Sequence, residues 1–352
     1  MKVIFAISDM NLGGSSQVVH DLVKNIDKTI FDVYLLVFFD AFPSRYQDLL
    51  DDPSINVQFL GKKKTLDFPF LKRLKEAVNL IRPDFVSCHL SSVFYLNRVV
   101  DYKKTKLFFT IHAEPRFDLL KLYRMAIHSN VIKKRIRLVG CCSYIAKQAS
   151  ALYGTDCVSI QNGIDLPEQM PGLEKKKYDF LCVGRFTKIK RFCDLITAFS
   201  RVRIEYPNAR LAICGFGSEQ ASIIDFINEM RLNASVDVYD QSKDVRELYQ
   251  SSKTFCLFSE REGFPITILE AMSYALPCIV TKVGGNEELV KNNINGTLVE
   301  VGDTDGQATA MKQVLEDEKL MQSYSRAALD FAKEHTSESM TKQYEALFLG
   351  KL

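Results

Sequence analysis

Short apolar runs alternate with longer amphipathic stretches along the whole chain. Such runs, about four to eight residues long, are typical of parallel strands that helices cover on both faces. In the first half, the predicted strands are 2–8, 33–39, 55–60, 85–90, 106–112, 138–142 and 157–161. The predicted helices between them are 16–26, 69–81 and 94–102.

One interruption separates two similar halves. Residues 166–177 contain two prolines, a glycine and three consecutive lysines without periodicity, which predicts a linker. After it, the predicted strands are 178–183, 210–214, 236–239, 254–258, 278–281 and 296–300. Predicted helices lie at 193–205 and 219–232, and the tail beyond about residue 305 is helical throughout.

The pattern and the length of 352 residues predict two α/β domains, residues 1–165 and residues 166–335. Ligands bind outside the carboxyl ends of the strands in sheets of this kind. We therefore expect a site in a cleft between two facing domains.

The amino-acid composition indicates in which cellular compartment the protein works. Most of the nine cysteines fall in predicted buried strands and none forms a C-x-x-C pair, which indicates free thiols in a reducing compartment. Residues 1–14 become polar too soon for a signal peptide, and no apolar run approaches the ~18–20 residues of a membrane span. We expect a cytoplasmic protein that is at most peripheral to a membrane.

Charge is uneven along the chain. The net charge of +3 is too small to indicate nucleic-acid binding, but residues 1–165 carry +7 and residues 166–352 carry −4. The basic half holds Lys62–Lys64 and Lys133–Arg137, the latter after a partly apolar stretch at 117–127. Either an anionic membrane surface or ordinary solvated charge explains this pattern.

The sharpest chemical signal is residues 261–270, REGFPITILE. A predicted strand runs into a glycine turn, and a helix then begins with Pro265 as its first residue. The amides of Ile266 and Thr267 would point out of the positive end of this helix, where they suit a diphosphate. Glu262 before the helix and Glu270 within it can accept hydrogen bonds from sugar hydroxyls.

This arrangement resembles the signature of family 4 retaining glycosyltransferases of the GT-B fold. The shared features are two glutamates with seven residues between them and Gly263, Phe264 and Pro265 after the first. The resemblance implies that Glu270 binds the nucleotide ribose and that Glu262 contacts the transferred sugar.

The resemblance also implies an architecture and a division of labour. Two Rossmann-like domains would face each other across a cleft, and a C-terminal helix at about 336–352 would cross back to the first domain. The domain at 1–165 would bind the acceptor, and the domain at 166–335 would bind the nucleotide-sugar donor.

A second part of the resemblance lies after the first strand of the second domain. Relatives carry an arginine and a lysine five residues apart here, both aimed at the diphosphate, and Arg185 and Lys190 match them. Two cations offset the charge of the leaving group, as metal ions do elsewhere. Many relatives have glycine after the lysine, whereas this chain has Arg191.

The first domain offers a glycine loop and a histidine. The loop at 11–14, with Gly13 and Gly14, resembles the loop that lets donor and acceptor approach the backbone, although a plain strand-to-helix turn explains it too. His112 ends a predicted strand, and the resemblance places it near the reacting sugar, where it positions a donor hydroxyl rather than acting as a general base. His89 also ends a strand, and we expect it to be structural.

The loop at 238–245 resembles the family's nucleobase loop, here with Tyr239, Asp240 and Val245. Relatives usually have glycine at the position of Asp240, so the sequence does not identify the nucleobase. Asp303 and Asp305 form a D-x-D pattern that binds metal in other glycosyltransferases, but its position before a helix indicates a helix cap. We predict no metal and no cofactor.

Together these features predict a retaining hexosyltransferase in cell-envelope polysaccharide biosynthesis. Its donor would be a UDP-sugar, or a GDP-sugar as the alternative, and its acceptor a glycan or a lipid-linked glycan. A nucleotide-sugar epimerase or a sugar-phosphate-directed synthase of the same fold, and a non-catalytic scaffold partner, remain alternatives. The incomplete glycine fingerprint disfavours a nicotinamide dehydrogenase.

Overall fold

The computed structural model describes residues 1–11, 13–39, 44–63, 67–167, 176–240 and 242–352. The chain forms two compact units, residues 1–165 together with 336–352, and residues 166–335. Leu12, Lys64, Gln241 and most of the predicted linker lie outside the described residues. None of the helices in the described ranges is long and apolar enough to cross a membrane.

The first unit is built on a seven-stranded parallel sheet with the order β3-β2-β1-β4-β5-β6-β7. Its strands are β1 (Lys2–Ile7), β2 (Asp32–Val37), β3 (Ile55–Phe59), β4 (Phe85–His89), β5 (Lys106–Ile111), β6 (Ile136–Gly140) and β7 (Cys157–Ser159). Its helices are α1 (Gly14–Asn25), α2 (Gln47–Asp51), α3 (Phe68–Ile81), α4 (Ser92–Leu96), α5 (Pro115–Asp118), α6 (Lys121–Ile132) and α7 (Ser143–Tyr153).

The second unit is built on a six-stranded parallel sheet with the order β10-β9-β8-β11-β12-β13. Its strands are β8 (Tyr178–Val183), β9 (Leu211–Cys214), β10 (Val236–Tyr239), β11 (Ser252–Leu257), β12 (Cys278–Thr281) and β13 (Gly296–Val299). Its helices are α8 (Phe192–Glu205), α9 (Gln220–Glu229), α10 (Val245–Gln250), α11 (Ile266–Ser273), α12 (Asn286–Leu289), α13 (Thr304–Glu316) and α14 (Glu318–Glu334).

The last helix, α15 (Ser337–Phe348), belongs to the first unit. Thr336 caps it by accepting a hydrogen bond from the Ser339 amide. Phe348 is fully buried and packs on the aromatic rings of the first sheet, and its ring lies 5.1 Å from that of Phe108 and 5.5 Å from that of Phe85. The C-terminal helix therefore completes the core of the N-terminal unit.

All thirteen predicted strands are present, because nearly continuous apolar runs leave few alternatives to a buried parallel strand. The predicted helix at 94–102 is wrong beyond its first three residues, since α4 ends at Leu96. The amides of Val99 and Val100 both bond to the Leu96 carbonyl, and the Asp101 carboxylate accepts from the Lys103 amide. The chain thus tightens into a turn that leads directly to β5.

Candidate functional site

The strand order of the second unit creates a crevice between the ends of β8 and β11. The chain leaves β8 towards one side of the sheet and β11 towards the other, which makes this the topological switch point where such folds bind ligands. The Glu260 amide donates to the Ile189 carbonyl at 2.8 Å and joins the loops that follow the two strands. These loops carry the two strongest sequence signals.

Lys190 and Glu262 meet at this switch point. The Lys190 ammonium donates to Glu262 Oε1 at 2.5 Å, and the Ser259 hydroxyl donates to the same oxygen at 2.5 Å. The Glu262 side chain is only 10% exposed and that of Lys190 19%, so water screens the pair little. The family resemblance implies contact with the diphosphate for Lys190 and with the sugar for Glu262, and the structure brings the two side chains into direct contact.

Arg185 lies in the same loop but points to solvent. Its neighbour Phe186 is fully buried, and the Phe186 amide donates to the Phe216 carbonyl at 2.7 Å. A Cβ on Gly215 would lie 1.9 Å from the Gly184 carbonyl oxygen, so this glycine lets two loops pack together. Within the described ranges the Arg185 guanidinium has no hydrogen-bond or ion-pair partner, which leaves its charge available.

The loop after β11 leads into α11, where one detail differs from the prediction. The helix begins at Ile266, and Pro265 precedes it with an extended backbone at ψ 117°, so Pro265 is not the first helical residue. Phe264 is buried and anchors the loop, and a Cβ on Gly285 would lie 1.9 Å from the Gly263 carbonyl oxygen. The first amides of a helix have no intrahelical acceptor. In α11 these free amides begin at Ile266, shortly after Glu262 in the sequence.

Glu270 lies inside α11 and is held by a buried tyrosine. The Tyr249 hydroxyl donates to Glu270 Oε2 at 2.9 Å and lies 3.3 Å from the Thr267 carbonyl oxygen. The Tyr249 ring stacks on Tyr274 at 5.6 Å, which fixes the tyrosine. The carboxylate that the sequence assigned to the ribose is therefore oriented by a side chain 21 residues away in the chain.

The predicted nucleobase loop offers few free side chains. The Tyr239 hydroxyl bonds to the Tyr178 hydroxyl at 2.5 Å, and the Tyr239 backbone carbonyl accepts a hydrogen bond from the Gly215 amide. The Asp240 carboxylate accepts from the amide and hydroxyl of Ser242, which lowers its pKa. Val245 is the first residue of α10.

The first unit has its own switch point, between β1 and β4. Gly13 precedes α1 in an extended conformation, and a Cβ there would meet nothing within 4 Å. Neither the backbone nor the packing of the described residues requires glycine at this position. Gly14 is the first residue of α1, and the Ser8 and Ser91 hydroxyls, 2.6 Å apart, join the loops after β1 and β4.

His112 follows β5 directly and contacts a second histidine. Its Nε2 lies 2.9 Å from Nδ1 of His89, the fully buried last residue of β4. Burial lowers the pKa of His112 to about 4 and holds that of His89 well below its ordinary value, so both rings are neutral at pH 7. The expectation that His89 is only structural misses this contact.

Asp118 fixes the backbone at His112. One carboxylate oxygen accepts from the amides of His112 at 3.1 Å and Ala113 at 3.2 Å. Burial raises the pKa of Asp118 to about 7, although the two amide hydrogen bonds oppose that shift.

The remaining candidates fall outside these two crevices. Asp303 accepts from the Gly306 amide and caps α13, as the helix-cap interpretation predicts. No cluster of three or more His, Cys, Asp or Glu suited to a metal ion occurs among the described residues. Lys62 lies over the rings of Phe39 and Tyr95, 5.1 and 5.5 Å from their centroids, so it does not behave as a free surface charge.

The sequence did not reveal the partners of the site residues. Ser259, Tyr249 and His89 carry no motif of their own. Tyr249 and His89 contact residues 21 and 23 positions away, whereas Ser259 contacts Glu262 within the same loop. Gly284 and Gly285 form a double glycine after β12 in the sequence, which was the only available signal for the loop packed on Gly263.

Comparisons with known proteins cover most of the chain. Residues 12–168 match the family described as Glycosyltransferase Family 4, and residues 167–331 match the one described as Glycosyl transferases group 1. The lipopolysaccharide 1,6-galactosyltransferase of Salmonella typhimurium is 28% identical over 346 residues, 90% of each chain. The N-acetyl-alpha-D-glucosaminyl L-malate synthase of Bacillus anthracis is 33% identical over 182 residues, 51% of this chain. That match covers 48% of the Bacillus protein, so it spans about half its length.

A solved structure shares the fold. The Anabaena protein HepE in complex with UDP-glucose superposes with a TM-score of 0.84 over 100% of both chains, at 18% identity. The two Rossmann-like units thus define a GT-B fold, which confirms the predicted fold class. Because the two family matches together span residues 12–331, the chain belongs to the family 4 glycosyltransferases, and its second half carries the domain described as Glycosyl transferases group 1.

Proposed function

We propose that this protein is a retaining glycosyltransferase that moves a hexosyl unit from a UDP-sugar to a hydroxyl of a glycan or lipid-linked acceptor. The observation that carries the proposal is the Lys190–Glu262 pair at the switch point of the second unit. Glu262 lies shortly before the start of α11 in the sequence. A cation, a carboxylate and helix amides together suit a sugar joined to a diphosphate.

In the proposed reaction, the bond between the donor sugar's C1 and the diphosphate oxygen breaks, and a bond between C1 and the acceptor oxygen forms. The acceptor's proton goes to the leaving phosphate on the same face of the sugar, so the anomeric configuration is retained. Arg185, Lys190 and the amides of Ile266 and Thr267 stabilise the negative charge on the departing diphosphate. We propose that this arrangement needs no metal ion.

The carboxylates are proposed to orient the donor. Glu270, held by Tyr249, accepts from the ribose hydroxyls, and Glu262 accepts from the transferred sugar. The backbone of the Gly263–Pro265 loop follows the diphosphate. The loop with Tyr239, Asp240 and Val245 contacts the base through its backbone, because the Tyr239 and Asp240 side chains are already hydrogen-bonded to Tyr178 and Ser242.

In the first unit, His112 is proposed to contact a hydroxyl of the reacting sugar. Gly13 and Gly14 are proposed to leave room for substrate beside the backbone. The open space at Gly13 supports this role, since no described residue fills the position that a side chain would take.

The names of similar proteins support the donor and the pathway. HepE was solved with UDP-glucose, and the Salmonella relative is named as a galactosyltransferase of lipopolysaccharide. A UDP-sugar donor and a cell-envelope glycan acceptor follow for this chain as proposals, with a GDP-sugar as the alternative donor.

Calorimetric titration with UDP, GDP and ADP in the presence of EDTA tests the donor site. We expect tight binding of UDP alone, with affinity reduced roughly 10- to 100-fold in Arg185→Ala and Glu270→Ala. Lys253→Ala is the matched control, because Lys253 lies near the amino-terminal end of the β11 strand that leads to the Glu262 loop. Its affinity should equal that of the wild type.

Three results would contradict the proposal. If no nucleotide binds the wild type, the alternative of a non-catalytic scaffold partner is favoured over the enzyme. If Lys253→Ala weakens binding as much as Arg185→Ala, the site has been misplaced. If a UDP-sugar is converted to its epimer without acceptor, the epimerase alternative is correct.

We also propose that the first unit rests on an anionic membrane surface. Four large apolar side chains on α5, α6 and the turn between them are 59–70% exposed: Phe117, Leu120, Leu122 and Met125. The exposed basic segment Lys133–Arg137 begins directly after α6. Apolar and basic side chains on one helix and its end suit a lipid interface with anionic headgroups.

A further inference from the structure

Three side chains form a line that ends at His112. Ser87 and His89 lie two residues apart on β4, and both are fully buried. The Ser87 hydroxyl lies 3.1 Å from His89 Nε2, and His89 Nδ1 lies 2.9 Å from His112 Nε2. Both are hydrogen-bond distances, so the protons along the line depend on one another.

The contact between the two rings holds a single proton. Both imidazoles are neutral, and each neutral ring carries one N–H and one acceptor nitrogen. Either His112 Nε2 donates to His89, or His89 Nδ1 donates to His112. The first arrangement leaves His112 Nδ1 as an acceptor, whereas the second leaves it as a donor.

The Ser87 hydroxyl determines which of the two proton arrangements occurs. Among the described residues, His89 Nε2 is the only hydrogen-bond partner of the buried Ser87 hydroxyl. A buried hydroxyl proton without an acceptor is costly, so Ser87 donates to His89 Nε2. His89 must then carry its proton on Nδ1 and donate it to His112 Nε2.

We infer that Ser87 and His89 are positioning residues that hold His112 in its Nδ1–H tautomer, so that the outer nitrogen of His112 is a hydrogen-bond donor. This inference rests on the proposed function, in which His112 contacts the reacting sugar. A donor nitrogen binds a lone pair of a sugar oxygen and cannot take a proton from an acceptor hydroxyl. His112 therefore orients the donor sugar and does not act as a general base.

The backbone holds this line in place. The Ser92 hydroxyl accepts from the His89 amide at 3.0 Å and donates to the Ala6 carbonyl at 2.8 Å. On the other strand, Asp118 holds the His112 amide. These bonds fix the backbone from which the two rings project, and the ring contacts to Ser87 and between the histidines then orient the rings themselves.

Nitrogen NMR of protein labelled with 15N-histidine measures the tautomer directly. The chain has only five histidines, so single substitutions assign each signal. In the wild type we expect a protonated Nδ1 and an unprotonated Nε2 at His112. Ser87→Ala, which removes only a hydroxyl, and His89→Phe should both reduce the Nδ1–H fraction, whereas His89→Asn, whose amide can donate, should restore it.

Kinetics with a UDP-sugar tests the consequence. His89→Phe and Ser87→Ala should lower kcat about tenfold with little change in KM, because orientation rather than affinity is lost. His89→Asn should recover much of kcat, and His128→Gln should behave as the wild type. Ser87→Ala keeps the experiment informative if His89→Phe fails to fold.

The outcomes separate the two proposals. An Nε2–H tautomer at His112 in the wild type, or a tautomer that neither variant alters, overturns the inference. So does an altered tautomer with unchanged kcat. If the tautomer is as expected but the wild type transfers no sugar, the proton arrangement stands and the proposed function fails.

Discussion

Lys190 has two competing partners in the proposed cycle. Its ammonium is paired with Glu262 in the structure, and under the proposed function a diphosphate would draw it away from that carboxylate. Such an exchange would couple donor binding to Glu262, because the proposal has the glutamate then accept hydrogen bonds from the sugar instead.

Substituting Glu262 by Gln should therefore separate affinity from turnover. The variant removes the anion that competes with the diphosphate, so UDP should bind roughly fivefold more tightly, which corresponds to about 1 kcal/mol. Transfer should fall by roughly 100-fold or more, since the sugar loses its carboxylate. Calorimetry and initial rates measure the two effects.

Lys190→Ala is the matched partner of that experiment. It should weaken UDP binding, and the double variant should bind UDP no more tightly than Lys190→Ala alone. Weaker UDP binding by Glu262→Gln would mean that the carboxylate does not compete with the diphosphate.

A second buried charge cluster lies in the first unit, away from both crevices. His20 Nδ1 lies 2.8 Å from the Asp21 carboxylate, and Nε2 lies 2.9 Å from that of Asp48 on α2. Burial lowers the pKa of His20, but the hydrogen bonds and charges of Asp21 and Asp48 outweigh burial and raise it above 6.5. Burial raises the pKa of Asp21, against the hydrogen bond from His20.

His20→Gln should lower the free energy of unfolding by about 2 kcal/mol, less than for a fully buried pair because Asp48 is half exposed. The stability that protonated His20 contributes is present below pH 6.5 and is lost as pH rises through its raised pKa. As pH falls through the raised pKa of Asp21, that carboxylate loses its charge. The difference between the two proteins should therefore peak between these pKa values.

Urea unfolding of both proteins from pH 4 to 9 measures that window. A difference that grows steadily towards alkaline pH would contradict the assigned charge state of His20. Lys72→Gln, on the exposed face of α3, is the control and should give a flat difference.

Motifs located Lys190, Glu262 and Glu270 in the sequence, because loop and helix chemistry is local. Their partners were not predictable, since Lys190 and Glu262 are 72 residues apart and His89 and His112 are 23 apart. Only the strand order brings such residues together, and a motif contains no information about it.

At the scale of elements, the loops after β11 and β12 depend on each other. The Gly263 carbonyl occupies the position that a Cβ on Gly285 would need. Gly285 has φ of −72°, so its backbone would accept any residue and only this contact requires glycine.

Gly285→Ala should displace the Gly263–Pro265 loop. We expect a loss of about 1–3 kcal/mol of stability from overpacking and a clear loss of UDP affinity. Gly13→Ala is the stability control, because its Cβ meets open space, and its melting temperature should stay unchanged. Unaltered UDP binding by Gly285→Ala would show that the loop does not position the nucleotide.

Strands were easier to predict than short helices for a physical reason. A strand buried on both faces needs a nearly unbroken apolar run, whereas the end of a short helix depends on individual hydrogen bonds. The end of α4 at Leu96 shows this, because the Asp101 turn and the approach to β5 override an amphipathic pattern.

At the scale of the molecule, the exposed apolar and basic surface of α5, α6 and residues 133–137 predicts binding to charged vesicles. The protein should sediment with phosphatidylglycerol vesicles and not with phosphatidylcholine vesicles, and added salt should release it. Replacing Lys133, Lys134 and Arg135 by Glu should abolish sedimentation, at about 1 kcal/mol per charge removed.

Two further proteins sharpen that test. Lys72, Lys75 and Arg82 are exposed on α3 and at its end, and replacing them by Glu gives a matched change in charge that should leave sedimentation intact. Leu122→Ser with Met125→Ser should weaken binding at all salt concentrations. Equal loss in both triple variants would mean that net charge alone, and not this surface, attracts the protein.

The position of α15 has a consequence for synthesis of the chain. A ribosome delivers residues 1–165 first, yet their aromatic core lacks Phe348 and Tyr344 until the last helix emerges. At about 5–20 residues per second, the N-terminal unit waits about 10 to 40 s, while the second unit is made, before it can close its core. The second unit, which is continuous in sequence, can complete its fold first, so the order of folding reverses the order of translation.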